Sequence, residues 1–169
     1  MTAVTSTEKL GCDTSDMLTI HALFRRAFTD APELVRGVAD GDTARLLPVA
    51  GHVREVATAL HHHHEGEDQL LWDTLEQRAP ACALHVGLMR SQHAATAGQL
   101  ERLDVLMDAW EESAGAAERD AVAALLDDVR DTLLTHLGQE ETQILPTAAT
   151  VMSQRVWGLL HEHGMASVP

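Results

Sequence analysis

The sequence predicts an all-α protein, an antiparallel up-down-up-down four-helix bundle with a short extra C-terminal helix. Apolar residues recur every three to four positions through four long segments, which is the period of one buried helix face. Few stretches alternate β-branched or aromatic residues as strands do; Tyr is absent and Phe occurs twice. The four segments are joined by short connections, and helices joined in this way pack antiparallel.

The first helix is predicted over about residues 14 to 30. Asp13, Thr14 or Ser15 can cap its start, because a short polar side chain accepts a hydrogen bond from the unpaired N–H groups of the first turn. Pro32 is expected to break or offset the helix, since proline lacks an N–H group and clashes with the preceding turn. A short helical turn and a glycine-containing loop should follow.

The second segment is predicted to begin at a cap from Asp42 or Thr43 and to run to about Arg78. Pro48 is expected to interrupt its beginning. The third helix should start near Pro80, a residue that suits a first helical turn, and should reach about residue 112.

The fourth helix covers about residues 117 to 145 and is stopped by Pro146, before a shorter C-terminal helix. The expected organisation is a flexible N-terminus over residues 1–12, one bundle domain over residues 13–146, and a C-terminal helix and tail over residues 147–169. A chain of 169 residues can bury one continuous core of this size.

Charge and composition exclude several classes of partner. The formal net charge of −14, with no cluster of Lys or Arg, disfavours nucleic acid and anionic membranes as partners. No window holds the roughly 18 apolar residues of a membrane span, and no export signal is recognisable. Two distant cysteines, Cys12 and Cys82, are typical of free thiols in a reducing compartment. We therefore expect a cytoplasmic protein; no protein partner is indicated.

Histidine is the compositional excess, with eleven in the chain. Residues four apart on a helix point in nearly the same direction, so the apolar stripes of the second and fourth helices each gain one such pair. The first and third helices each place one histidine among apolar residues. Four imidazoles and two carboxylates at one level could hold two cations, because buried charges are paired or coordinate metals. These candidate ligands are His21, His63, Glu67, His93, His136 and Glu140.

Two alternatives remain open within the histidine-rich segment and near the end of the fourth helix. His64 and Asp68 are also four residues apart and are the main rivals of His63 and Glu67; otherwise they are outer partners of the ligands. Glu141, five residues after His136, is the rival of Glu140. His52 lies on the same stripe as His63 but about 16 Å along the helix, where it packs in the core or lines an access path.

The motifs "HALFRR", "HHHHEGEDQLLW", "MRSQHAAT" and "HLGQEETQILP", in this order, resemble the hemerythrin-like (HHE cation-binding) family over about residues 17 to 146. The resemblance implies two iron ions, with an oxo or hydroxo bridge, in the bundle core; zinc or manganese is also compatible. His21, His63, His93 and His136 would be terminal ligands, and Glu67 and Glu140 would bridge the metals.

The chain departs from the oxygen-carrying members of the family at Met89, where those proteins have a second histidine on the third helix. This argues against reversible oxygen carriage and favours two histidines per metal. The resemblance implies a protein that reacts with or senses oxygen, hydrogen peroxide or nitric oxide, with catalase-like turnover as one form of that chemistry. The alternatives are an iron or redox sensor, a reversible oxygen binder and, from another class, a metal-free helical interaction module.

Overall fold

The computed structural model describes residues 8–166 and contains no β-strand within that range, which confirms the all-α prediction. Its helices in chain order are α1 (Ser15–Arg36), α2 (Thr43–Leu70), α3 (Trp72–Arg78), α4 (Ala83–Ser113), α5 (Ala116–Gln143), α6 (Leu145–Val151) and α7 (Gln154–Ala166), with a 3₁₀ turn at Pro80–Cys82 before α4.

The four long helices form the predicted bundle. Helix α2 packs between α1 and α4, and α5 packs between the same two helices on the opposite side. Each long helix therefore stands at one corner of a square and has two neighbours. Because helices that follow one another in the chain are also neighbours and are joined by short connections, they run up, down, up and down.

Helix α1 is longer than predicted. Pro32 lies inside it, so the expected break after about residue 30 was wrong. Pro32 and Val35 are buried, and their packing in the core offsets the roughly 3 kcal/mol cost of an internal proline. Pro48 is likewise accommodated within α2, which starts at the predicted cap Asp42, whose side chain accepts a hydrogen bond from the Arg45 N–H.

The ends of the long helices differ from the predicted ends because short helices follow α2 and α5. The segment predicted to reach Arg78 divides at Leu71 into α2 and α3. Pro80 starts the 3₁₀ turn, and α4 itself begins three residues later. Pro146 occupies the first turn of α6, after α5 has ended at Gln143.

The N-terminal segment of residues 8–12 is hydrogen-bonded to residues in or next to the short helices α3, α6 and α7. Residues 1–7 of the expected flexible N-terminus lie outside the described part. Over residues 8–12 the chain is attached: the Gly11 N–H donates to the Met152 carbonyl at 2.7 Å, and the Glu8 carboxylate accepts hydrogen bonds from Arg78 and Arg155. Helix α7 lies against α2. Within the described residues, no helix is both long and apolar enough to cross a membrane.

The buried apolar side chains form two separate clusters. The large cluster fills one end of the bundle and includes Phe28, Leu46, Trp110, Leu126 and Leu133. The small cluster fills the other end, beneath the short helices, and includes Met17, Trp72, Met89, Ile144 and Trp157. Helices α1 and α4 contribute to both clusters, whereas α2 and α5 end next to the small cluster, at Leu71 and Ile144. A layer of polar side chains lies between the two clusters.

Candidate metal centre

The polar layer between the two clusters is made by all four long helices. On α1, His21 lies between Met17 of the small cluster and Phe24 of the large cluster. Helices α2 and α5 each bring histidine and glutamate to the layer, and α4 brings His93. The buried polar side chains of this layer are His21, His64, Glu67, His93, His136 and Glu140, and His63 joins them with a side chain that is 13% exposed.

Two consecutive residues of α2 face this layer. The His63 ring contacts α1, where it packs edge-on to His21 at a centroid distance of 5.4 Å and against Phe24 at 5.2 Å. The His64 ring contacts the opposite neighbour and stacks on His93 of α4 at 4.0 Å. Successive helix positions differ by about 100°, which matches the corner of a square bundle. Both imidazoles can therefore be buried.

Glu67 connects the two sides of the layer. Its Oε1 atom lies 3.2 Å from His63 Nε2, and its Oε2 atom lies 3.4 Å from His93 Nε2. Charged hydrogen bonds are usually shorter, about 2.7–2.9 Å. Two ligands of one cation, each about 2.1 Å from it, stand about 3.0–3.4 Å apart. The separations around Glu67 fit a carboxylate that bridges two cations.

Glu140, on α5, is the second carboxylate of the layer. Its Oε2 atom lies 3.4 Å from His21 Nε2 and 3.5 Å from His136 Nε2. His136 and Glu140 are four residues apart on α5, so the helix itself sets their common direction. The spacing that the sequence analysis relied on is therefore realised in both pairs, His63 with Glu67 and His136 with Glu140.

The candidate ligand atoms fall into two groups, and within each group all atoms lie within 4.8 Å of one another. The three-histidine group consists of His64, His93 and His136 with Glu67. The two-histidine group consists of His21 and His63 with the same Glu67. Two cations sharing one carboxylate would see different numbers of nitrogen ligands.

Three of the imidazoles are oriented from behind by a hydrogen bond at Nδ1. His93 faces Asp68 at 2.8 Å, and Asp68 also accepts from the Trp72 indole N–H. His136 faces the Gln92 side-chain oxygen at 3.0 Å. With the Nδ1 proton donated outward in this way, Nε2 is left free to bind a cation.

The third oriented imidazole is His21, whose Nδ1 lies 3.0 Å from Glu141 Oε1. Arg25 donates two hydrogen bonds to the same carboxylate, at 2.7 and 2.9 Å. Burial alone would raise the pKa of Glu141, but the hydrogen bonds from Arg25 and His21 lower it. Glu141 is thus an ionised partner behind the ligand, while Glu140 faces the centre.

Burial in this layer disfavours the charged forms of its own histidine and glutamate side chains. Burial lowers the pKa of His21, lowers those of His63 and His64 well below the ordinary value, and lowers that of His136 to about 3. Burial raises the pKa of Glu140 to about 7, and burial together with the charge of Glu140 raises that of Glu67 well above its usual range. Without a cation, the charged forms of His21, His63, His64 and His136 are therefore disfavoured, Glu67 is biased toward its protonated form, and Glu140 titrates near neutral pH.

Several candidate ligand atoms of the layer have no hydrogen-bond partner in the protein. They are Nε2 of His21, His63 and His64, and both carboxylate oxygens of Glu67 and of Glu140. Leaving so many polar atoms unpaired in a core is costly. Imidazole nitrogens and carboxylate oxygens are ligands for iron, zinc and manganese, so a pair of such cations fits the residues present.

The structure brings all six predicted ligand residues to this layer and adds His64. The expected rival pair is divided: His64 lies among the candidate ligands, whereas Asp68 supports His93 from outside. Met89 is buried in the small cluster, and the third imidazole comes from α2 instead. This differs from the expected two histidines per metal. His52 is exposed and lies beside Leu34 and Arg45, in neither of the places proposed for it.

Comparison with known proteins gives one match. The family model described as Hemerythrin HHE cation binding domain matches residues 12–148. No curated protein and no solved structure matched the chain. Because the family match spans the whole four-helix bundle and every candidate ligand, the chain belongs to the hemerythrin family of HHE cation-binding domains.

Proposed function

We propose that the chain binds two iron ions in the polar layer and reacts with or senses small oxidants there. The observation that carries the proposal is the set of inward-facing donor atoms without hydrogen-bond partners, shared among four helices and enclosed by two apolar clusters. One cation would be held by His64, His93 and His136, the other by His21 and His63, with Glu67 and Glu140 between them.

Iron is proposed over zinc and manganese because of the mixed donor set. Imidazole suits iron and zinc, whereas carboxylate suits the harder cations, and a non-haem iron pair accepts both. An oxo or hydroxo bridge between the two ions would complete the centre. A dinuclear zinc or manganese centre remains compatible with the same side chains and is separated from iron by metal analysis.

An iron pair with an open coordination position supplies electrons to oxygen, hydrogen peroxide or nitric oxide, and such a small diatomic or peroxide molecule is the proposed ligand. The residues of this chain determine where it can bind. The two-histidine group offers one nitrogen fewer than the three-histidine group, so its cation has more room for an exogenous ligand. Phe24, packed against His63, keeps that side apolar.

Sensing is compatible with the same geometry. The ligands come from all four long helices, so cation binding contributes directly to the stability of the folded state. Loss or oxidation of the metals would then be reported as a change in the bundle. We further propose a cytoplasmic location, which is compatible with the two free cysteines, Cys12 and Cys82.

The proposal is tested on protein expressed with an iron supplement. We expect about two irons per chain by elemental analysis, near-UV absorption from the bridged ferric pair, and a spectral change on addition of peroxide or nitric oxide. The control is Glu67→Gln, which should be colourless and nearly metal-free while it retains its helicity. Full helicity of the wild type with no bound iron, even after anaerobic addition of Fe²⁺, would contradict the proposal.

A further inference from the structure

The candidate ligands are enclosed, so a cation has to cross the wall of the bundle to reach them. Apart from His63, each candidate ligand residue is at most 5% exposed. A cleft of about 100 Å³ opens between α2 and α4 and is lined at its inner end by His64 and His93. It therefore leads to the three-histidine group.

This cleft continues outward. An adjoining pocket of about 250 Å³ shares His61, Ala97 and Leu100 with it and extends toward Glu101 and Asp104. The two pockets together form what we call the α2/α4 cleft, a groove from the protein surface to the buried histidines. Ala97 is part of the wall of both pockets, and its side chain is a single methyl group.

The α2/α4 cleft carries negative charge along its length. Glu65 and Asp68 line the inner pocket, Glu101 and Asp104 line the outer one, and no Lys or Arg lines either. Arg54 reaches Asp104 but is shared with Asp108 and Glu111, so this outer group keeps a net negative charge. Such a groove attracts cations and gives no advantage to a neutral oxidant.

The inner end of the cleft presents a ligand atom. His64 lines the cleft, is 5% exposed, and its Nε2 atom has no hydrogen-bond partner. Its ring stacks on His93 and packs edge-on to His136 at 4.9 Å. A cation that moves inward past the carboxylates meets an imidazole nitrogen that belongs both to the cleft and to the three-histidine group.

We infer that divalent cations enter and leave the centre through the α2/α4 cleft, drawn in by its carboxylates and received by His64. The inference rests on the proposed cation centre and adds the route to it. Blocking an access route slows cation uptake and release by the same factor and leaves the dissociation constant unchanged. Removing a ligand changes the dissociation constant instead.

The test uses Co²⁺ as the probe, with stopped-flow absorption for uptake and transfer to excess chelator for release. In Ala97→Phe, which fills the junction of the two pockets, we expect both rates to fall about tenfold or more at unchanged Kd. The matched control is Ala95→Phe, on the same helix but exposed and outside both pockets; it should keep wild-type rates.

A second pair of variants tests the charge without altering the packing. Glu101→Gln should slow Co²⁺ uptake about threefold at low salt, and the difference should vanish near 1 M salt because surface charges are then screened. Glu55→Gln, an exposed change on α2 outside the cleft, should have no effect.

Wild-type uptake rates in both Ala97→Phe and Glu101→Gln would overturn the inferred route while leaving the cation centre intact. A raised Kd in Ala97→Phe with unchanged uptake would overturn it as well, since Ala97 would then act on the ligands. If the wild type bound no Co²⁺ at equilibrium, the proposed function itself would fall.

Discussion

The two halves of the polar layer share their carboxylates but differ in their nitrogen donors. Glu67 and Glu140 each face histidines of both halves. His64 then gives one half a third imidazole, while the other half has only His21 and His63. In the proposed centre, this difference would make two unlike cation sites in a nearly symmetric bundle, because one helix contributes two consecutive residues, one to each side of its corner.

The largest effect is expected from the residue that both halves share. Glu67→Gln removes a charge from both sites, and we expect cation affinity to fall more than about 100-fold, because even outer partners of metal ligands are worth about 10–100-fold. The fold of the metal-free protein should be retained, since Glu67 is already held neutral there. Isothermal titration with Co²⁺ measures the loss, and Glu55→Gln, an exposed change on the same helix, is the control. Near-wild-type affinity in Glu67→Gln would contradict the shared bridge.

Removing one imidazole from either half tests how the two halves differ in cation binding. His63→Ala leaves the two-histidine group with His21 alone, and we expect binding to drop to about one cation per chain. His64→Ala leaves two histidines on each side, so both cations should remain but become alike. The Mössbauer spectrum of ⁵⁷Fe-loaded protein reads out this change as two quadrupole doublets merging toward one. An unchanged spectrum in His64→Ala would show that His64 is not a ligand.

Smaller effects are expected from the residues behind the ligands. Asp68→Asn weakens the support of His93, and Glu141→Gln weakens that of His21; each should lower the affinity of its own site about 10–100-fold. Stepwise Co²⁺ titration separates the two sites, so each variant should shift one step only. A shift of both steps by either variant would mean that the two halves do not load independently.

The smallest effect concerns the pH dependence of the metal-free protein. The histidines with lowered pKa values, such as His63 and His136, stay neutral in the fold but take up protons when unfolded below about pH 6.5, so stability falls as pH decreases. Glu140, with its pKa raised to about 7, keeps its proton in the fold while the unfolded carboxyl ionises above about pH 4.5, so its contribution to stability is lost as pH increases from about 4.5 to 7.

Between about pH 4.5 and 6.5 these two effects oppose each other in the metal-free protein. Glu140→Gln removes the opposing carboxyl, so its Tm, followed by circular dichroism, should rise more steeply with pH over this range than the Tm of the wild type. Equal slopes for the two proteins would contradict a buried Glu140 carboxyl that keeps its proton.

The ligand pairs were predictable because helical geometry alone sets them. His63 with Glu67 and His136 with Glu140 have the four-residue spacing that aligns two side chains on one face, and both pairs face the layer. His64 and Asp68 have the same spacing and stayed open as a rival pair, and the resemblance to the family, not helical geometry, favoured His63 with Glu67. Because His64 points about 100° away from His63, both could be expected in the layer only if α2 was known to stand at a corner between α1 and α4.

The misjudged helix limits have a similar cause. Local sequence rules treat Pro32 as a break, but they do not count the core contacts that hold residues on both sides of it in one helix. The number of histidines around each candidate site also depends on contacts between helices. Met89 on α4 is packed in the small cluster, and the third imidazole of the three-histidine group comes from His64 on α2. Pairwise packing of helices, rather than spacing within one helix, decided both outcomes.

The proposed pair of cations can be located in crystals of the iron-loaded protein measured at the iron absorption edge. We expect two anomalous peaks between the large and small clusters, one surrounded by His64, His93 and His136, the other by His21 and His63, with Glu67 reaching both. A single peak, or two peaks with His64 turned away from either of them, would contradict it.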